Sequence, residues 1–433
     1  MEVNKTDARR GFLALSPIIV FLLLYLVVSL VTGDFYSMPI SVAMAAGAVW
    51  GVAIMGRKSL GKRIEVFTSS AANPDILYMI CIFILAGAFA RLAGQIGAVD
   101  ATVDLTLQIF PADFIVAGLF MAACFISLSI GTSVGTVVAL TPLAVEVASS
   151  MGADSAFYVA VVLGGSFFGD NLSFISDTTI AATRSQGCKM NDKFKANLWI
   201  AVPAAVIALI IYLVMGHGVS ETVVTGDTSP WLVIPYLAVI LMAVCGINVT
   251  VVLITGILIG FIAGLAAGFS PMAMAGFLGE GIDSMGDLII VTLIAAGMLG
   301  LVNAMGGITF ILRAMTSKIS SSRGAQACIA VLVGIVNLCT ANNTIAIITV
   351  GSISRDIAGR FGVDPRKSAS LLDTSSCIVQ CLIPYGAQTL LATSLAGLSP
   401  IAPFPYLYYP WILSGIVLLS IVLGYPRHLS VRG

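Results

Sequence analysis

Apolar runs long enough to cross a bilayer recur from residue 11 to residue 425, with only short polar breaks between them. A bilayer core needs about 20 consecutive apolar residues per helix. The runs are continuous rather than alternating, which excludes an outer-membrane barrel. The pattern predicts ten crossings, at 11–32, 38–55, 75–97, 155–183, 196–216, 231–245, 247–268, 287–310, 368–398 and 408–425. Two further segments, 112–150 and 324–360, carry a polar interruption at their middle, GTSVGT at 131–136 and TANNT at 340–344. The halves of each are marginal for a full crossing, so each segment is expected to enter and return as a re-entrant hairpin. The expected fold class is an all-α polytopic membrane protein. Its first run, GFLALSPIIVFLLLYLVVSLV, reads as a retained crossing rather than a cleaved leader.

Composition agrees with this class. The chain is 58% hydrophobic and 10% charged, whereas about a quarter of the residues of a soluble domain are charged. Charge also sets a direction. Of 21 Lys and Arg, 20 fall in six clusters: Lys5, Arg9 and Arg10; Arg57, Lys58, Lys62 and Arg63; Arg184, Lys189, Lys193 and Lys195; Arg313, Lys318 and Arg323; Arg355, Arg360, Arg366 and Lys367; Arg427 and Arg432. With both hairpins returning to their side of entry, all six clusters share one face. By the positive-inside bias that face is cytoplasmic and holds both termini, which suits an inner (cytoplasmic) membrane. The remaining breaks, at Asp34, Asp100 and Asp104, Asp154, Glu221 and Asp227, and Glu280, Asp283 and Asp287, are expected to face outward.

The chain also repeats itself. FILAGAFARLAGQIG at 83–97 resembles LIAAGMLGLVNAMGG at 293–307, MGAD at 151–154 resembles FGVD at 361–364, and Thr179 and Ala182 match Thr389 and Ala392. All these pairs lie 210 residues apart. Two repeats follow, 1–220 and 221–433, each with five crossings, one hairpin and one broken helix (155–183 and 368–398). An odd number of crossings turns the second repeat upside down, the inverted-repeat plan of secondary transporters.

Candidate chemistry lies in GGSFFGDNLSFISDTTIAA at 164–182. A carboxylate at the bilayer centre costs about 2.5–3.5 kcal/mol on insertion scales, yet Asp170 and Asp177 both sit here. Gly164, Gly165 and Gly169 on one side and the polar run Ser176–Thr179 on the other predict a break at mid-crossing, with both aspartates at it. The matching segment, CLIPYGAQTLLATS, is broken by Pro384 and Gly386. The hairpin tips add Thr132, Ser133 and Thr136 from one repeat and Thr340, Asn342, Asn343 and Thr344 from the other. Four such breaks can converge at the midplane, where freed carbonyls, hydroxyls and amide oxygens suit a hard cation such as Na⁺. A buried carboxylate there can hold Na⁺ or H⁺, since burial favours the neutral form. The competing reading makes one of the two a helix cap. Asn171, Ser173, Ser176 and Thr178 belong to the same cluster.

Three other charges fall at membrane depth. Asp373 stands early in the second broken crossing, Glu146 near the end of the first hairpin, and Arg91 within the third crossing, where it pairs with a carboxylate, binds an anionic substrate or snorkels. Seven of the eight cysteines lie in apolar runs and read as buried small hydrophobes. His217 and His428, the two histidines, lie far from Cys377 and Cys381, which argues against a zinc site. The aromatic stretch FPYLYYPW at 404–411 reads as packing and an interfacial belt. GILIG at 256–260 reads as close helix packing, with a homodimer left open.

These features favour a secondary transporter. HExxH and Walker A motifs are absent from the sequence and neither histidine lies in a central crossing, so an intramembrane enzyme or direct ATP drive is disfavoured, and no charge block suggests nucleic-acid binding. No repeated selectivity-filter motif supports a channel. No cofactor is expected; the partners are membrane lipid, Na⁺ and H⁺, with a small organic substrate as the alternative.

FFGDNLSFISDTT, TANNT and SLLDTSSCIVQCLIPYGAQ together resemble the NhaC-type sodium/proton antiporter family, over roughly residues 80–185 and 290–400. The resemblance implies exchange of Na⁺ for H⁺ and, in some relatives, movement of small carboxylates or amino acids. It maps the family motif onto Asp170, Ser173, Ser176, Asp177 and Thr178. The chain departs from the usual pattern at Asn171, where lysine is common, and at Phe174, where proline is.

Overall fold

Lipid-facing and core-facing stripes separate cleanly on the outer helices. On the helix Met190–Gly216, Val206, Ile210 and Val214 are exposed at a spacing of four, while Ala201, Ala204, Ala208 and Tyr212 are buried. The helix Val249–Ala266 repeats this, with Ile254, Leu258 and Ile262 outward and Leu253, Gly256 and Gly260 inward. Outward apolar and inward small residues are the inside-out pattern of helices packed in lipid, where close backbone approach replaces hydrophobic drive. The computed structural model describes residues 5–32, 38–56, 59–109, 111–173, 176–216, 229–245, 247–316 and 319–425. Asp34, Arg57, Lys58, Phe174, His217, Glu221, Asp227, Lys318, Arg427, His428, Arg432 and the boundary at 220/221 lie outside the described residues.

The first half comprises α1 (Lys5–Thr32), α2 (Ile40–Ile54), α3 (Leu60–Ala71), α4 (Pro74–Gln95), α5 (Ala98–Ile109), α6 (Ala112–Ile130), α7 (Ser133–Ser150), α8 (Ser155–Leu172), α9 (Asp177–Gln186) and α10 (Met190–Gly216). The second comprises α11 (Ile234–Val244), α12 (Val249–Ala266), α13 (Pro271–Asp283), α14 (Gly286–Ala304), α15 (Gly307–Thr316), α16 (Ser322–Thr340), α17 (Asn343–Arg360), α18 (Pro365–Leu382), α19 (Ala387–Ala396) and α20 (Tyr408–Leu423). Among the described residues, eight helical stretches are long and apolar enough to cross a membrane, and further apolar helices of 10–17 residues accompany them. The chain is an all-helical, multi-pass membrane protein.

Both segments expected to turn back are interrupted where expected. α6 ends at Gly131 and α7 starts from Thr132; α16 ends at Ala341 and α17 starts from Asn342. The bounds of α6, α7, α8 and α9 recur 210 residues later as those of α16, α17, α18 and α19. Their caps recur as well: Asp154 accepts from Ala156 N at 2.9 Å and Asp364 from Arg366 N at 2.8 Å. Gln186, at the end of α9, accepts a 2.8 Å bond from Ser368 near the start of α18. α9 packs on α18 and α8 on α19, so with Gln186 at the start of α18 the broken segments 155–186 and 365–396 run antiparallel.

Other expectations need correction. The crossing expected at 75–97 is met by α4, after which left-handed Gly97 turns the chain into the separate helix α5. The one expected at 287–310 stops at Ala304, and left-handed Gly306 turns the chain into α15. The acidic stretch before residue 287 is not a loop but α13. It packs on α4 where Gly87 and Gly281 bring the two backbones together.

The hairpin tips differ in one respect. Gly131 takes φ 74° at no steric cost, whereas its counterpart Ala341 takes φ 49° and is the one described non-glycine residue with positive φ. A left-handed Ala costs about 1–2 kcal/mol. Ala341→Gly is therefore expected to raise the thermal unfolding temperature in detergent and Gly131→Ala to lower it, each by the equivalent of about 1 kcal/mol.

Candidate functional site

Four polar interruptions meet around one cavity of about 700 Å³. Asp170, Asp177, Thr178, Thr132, Ser133, Asn342, Asn343 and Thr344, all singled out in the sequence, line it, with Arg184, Gln380 and Gln388. A chain of hydrogen bonds connects the four breaks. The Gln380 amide donates to Ala341 O at the second hairpin tip and to Gln388 Oε1, both at 2.9 Å. Gln388 donates to Ser133 Oγ at 3.0 Å, and the Ser133 backbone N–H donates to Asp170 Oδ1, also at 3.0 Å. Gln380 stands 210 residues after Asp170, and each contacts the hairpin tip of its own half.

Asp170 is not at the break. It lies in the last turn of α8, which runs through Gly164, Gly165 and Gly169 without interruption. Those glycines are packing residues: a Cβ at Gly165 or Gly169 would strike Ala123 or Ser127 of α6. Their smallness lets α6 close on α8, so that its hairpin tip reaches Asp170. The break itself follows Leu172 and ends at Ser176, which caps α9 by accepting from Thr179 N at 3.2 Å. Asp177 then opens α9 on the far side of the break and is exposed, whereas Asp170 is only 4% exposed. The two carboxylates flank the break, one buried and one solvated.

Freed groups at the break find partners. Thr179 Oγ1 donates to Ser173 O at 2.8 Å, Ser176 Oγ to Asp170 O at 3.1 Å, and Asn171 Nδ2 to Phe167 O at 2.9 Å and Tyr409 OH at 3.1 Å. Thr136 and Thr340 face their own hairpins, donating to Thr132 O and Asn342 O, and do not line the cavity.

Behind the break lies a second charged cluster. Lys193, expected in a cytoplasmic loop, is fully buried: α10 begins at Met190, so the lysine falls on its core-facing side. Its Nζ lies 2.8 Å from Asp373 Oδ2, with both side chains 0% exposed. It also donates to Asn171 O at 2.8 Å and Thr179 Oγ1 at 2.6 Å. Asn197, one turn along, bonds Asn171 O at 2.7 Å and Asp373 Oδ2 at 2.8 Å. Lys367, counted in a basic cluster, is also buried and donates to Ser420 Oγ and to Tyr425 O.

The remaining charges lie elsewhere. Arg91 pairs with Glu280 of α13 at 2.6 Å on the exposed face, and Glu146 is half-buried in α7; neither lines the cavity. Sequence reasoning missed Lys193, Asn197, Gln380 and Gln388. Two signals marked them: Lys193 and Asn197 share a helix face at i,i+4, and Gln380 and Gln388 repeat Asp170 and Thr178 at the 210-residue offset.

Paired broken helices, two hairpin tips and a buried carboxylate facing a polar cavity define a membrane transporter of the secondary type. The model of the Na⁺/H⁺ antiporter family matches residues 11–217 and again 220–426, and the chain belongs to that family. It is similar to the Malate-2H⁺/Na⁺-lactate antiporter of Bacillus subtilis, 23% identical over 95% of this chain and 94% of that protein. It is also similar to the Na⁺/H⁺ antiporter NhaC of Alkalihalophilus pseudofirmus, 25% identical over 79% of this chain and 82% of that one. Among solved structures, the Alcanivorax borkumensis YdaH transporter aligns with a TM-score of 0.42 at 14% identity, covering 84% of this chain and 88% of that chain.

Proposed function

We propose that the chain exchanges Na⁺ for H⁺ across the cytoplasmic membrane, with Asp170 as the carboxylate for which the two ions compete. The carrying observation is that Asp170 is buried yet lines the cavity at which all four breaks meet. Asp177, at the solvated edge of the same cavity, draws cations toward it. The hydroxyls and carbonyls of the tips and the break offer the neutral oxygen ligands a hard monovalent ion requires. The 210-residue recurrence of helix bounds and the antiparallel course of the broken segments support two inverted repeats.

The second reading is an Na⁺- or H⁺-coupled carrier of a small organic acid or amino acid. The size of the cavity favours it, since about 700 Å³ is the volume of a small-molecule pocket rather than of a bare ion. The malate–lactate relative points the same way. Proteoliposomes holding a pH-sensitive dye separate the two readings. Exchange of Na⁺ for H⁺ gives a pH change on addition of Na⁺ alone. A response that requires one member of a panel of amino acids and carboxylates establishes the carrier.

The basic-residue distribution further supports a cytoplasmic position for exposed Lys62 and Lys189 and an outside position for exposed Asp283. In intact cells, Asp283→Cys is expected to react with an impermeant thiol reagent and Lys189→Cys only after permeabilisation, in a background lacking the native cysteines. Labelling of both from the same side would overturn this orientation.

A further inference from the structure

The buried charges around the break do not balance. Within the described core they are Asp170 of α8, Asp373 of α18 and Lys193 of α10, each within electrostatic range of the others. The other titratable groups coupled to this cluster are Cys377 of α18 and Tyr409 of α20; a thiol and a phenol carry no charge at neutral pH at their ordinary values. Thr179 of α9 and Asn171 and Asn197 complete the surroundings without charge. Asp177 and Arg184 lie on exposed positions at the cavity edge, where water screens them. One ammonium against two carboxylates leaves the core a single negative charge.

We infer that Lys193 is the charge-selectivity residue of the site: a resident cation that neutralises Asp373, so that the core accepts one monovalent cation or one proton and rejects divalent ions. This rests on the reading of Asp170 as the exchanging carboxylate. A monovalent ion at Asp170 brings the core to neutrality, whereas a divalent ion leaves a net positive charge where water cannot screen it. Lys193 is suited to permanence. Its ammonium is held by Asp373 Oδ2, Asn171 O and Thr179 Oγ1 and has no exposed surface. The same network carries spare acceptors. Among the described residues, Asp373 Oδ1, Asn171 Oδ1 and Asn197 Oδ1 are buried without a hydrogen-bond partner, although Thr178 lies close enough to interact with Asp373. Such oxygens are ligands of the kind Ca²⁺ takes in numbers of six to eight, once the lysine charge is gone.

The test is equilibrium binding of radioactive Na⁺ to the purified full chain at alkaline pH, with Ca²⁺ as competitor. The parent is expected to keep its Na⁺ against Ca²⁺, and Lys193→Met to lose it to Ca²⁺ at least about tenfold more readily. Asp373→Asn, outside the cavity wall, leaves the core neutral without an ion and is expected to weaken Na⁺ binding at least about tenfold. The double variant Lys193→Met/Asp373→Asn restores the single negative charge, and with it Na⁺ binding and indifference to Ca²⁺. A purely structural role for the pair also restores folding in the double variant, but it predicts that folded Lys193→Met loses its Na⁺ to Ca²⁺ no more readily than the parent. If Lys193→Met does not fold, Asp373→Asn and the double variant decide. The inference is overturned if Ca²⁺ competes in the parent, if Asp373→Asn binds Na⁺ normally, or if the double variant behaves as either single one. If Na⁺ binds the parent and Asp170→Asn equally, the reading of Asp170 falls first and this inference with it.

Discussion

Asp170→Asn is expected to lose Na⁺-dependent proton movement while remaining folded in the membrane. Asparagine keeps the shape, and its carbonyl oxygen still accepts the Ser133 N–H that Asp170 Oδ1 accepts now, at 3.0 Å. What disappears is the charge. Interactions with a charged group are worth about 1.5–3 kcal/mol net, so apparent Na⁺ affinity falls by about ten- to hundredfold. The pH dependence changes with it. In the parent, protons compete for the carboxylate, and apparent Na⁺ affinity weakens as pH falls; in the variant that dependence vanishes because the carboxylate for which the two ions compete is gone. Asp177→Asn is expected to have a smaller effect, since Asp177 is exposed and water already screens its charge. Initial rates of Na⁺-driven pH change in proteoliposomes measure the exchange, and equilibrium Na⁺ binding across a pH series measures the affinity, for both variants. Normal Na⁺ affinity and pH dependence in a folded Asp170→Asn protein would leave Asp170 a structural residue.

Much of this site was legible in the sequence, because in lipid a polar residue is costly and needs a reason. GTSVGT, TANNT, the Ser176–Thr179 run and the Pro384–Gly386 pair stood out against an apolar background, and each falls at an interruption between helices. The 210-residue offset, visible in weak sequence matches, is sharper in the helix bounds. What was not legible was rotation about a helix axis. Lys193 and Lys195 look alike in a string, two positions apart in one basic cluster. On α10 they point in different directions, and Lys193 turns into the bundle while Lys195 is exposed. Gly164, Gly165 and Gly169 misled for a related reason. Glycine in a membrane helix marks either a break or a close contact, and only the neighbouring helix α6 decides which. Gln380 escaped notice because an uncharged amide carries no alarm in composition; its importance comes from the partner it meets at Ala341.

The largest stability effect is expected from Lys193→Met. Methionine fills similar space but leaves Asp373 charged and unpaired in the interior, and strips a donor from Asn171 O at the edge of the break. Removing one partner of a buried ion pair costs about 3–5 kcal/mol. Arg91→Ala removes a pair of shorter distance, 2.6 Å, but with side chains 48% and 56% exposed. There water and entropy absorb most of the gain, and the expected loss is about 0.2–1 kcal/mol. Length of contact alone ranks the two pairs in the wrong order; burial ranks them correctly. Thermal unfolding in detergent, followed by intrinsic tryptophan fluorescence at matched heating rates, should show a large downward shift for Lys193→Met and a small one for Arg91→Ala. Lys193→Met/Asp373→Asn should recover most of the loss, because two neutral groups no longer leave a bare charge in the core. Equal shifts for the two single variants would mean that the Lys193 site is hydrated rather than dry, and the electrostatic account of the break would have to be rebuilt around water.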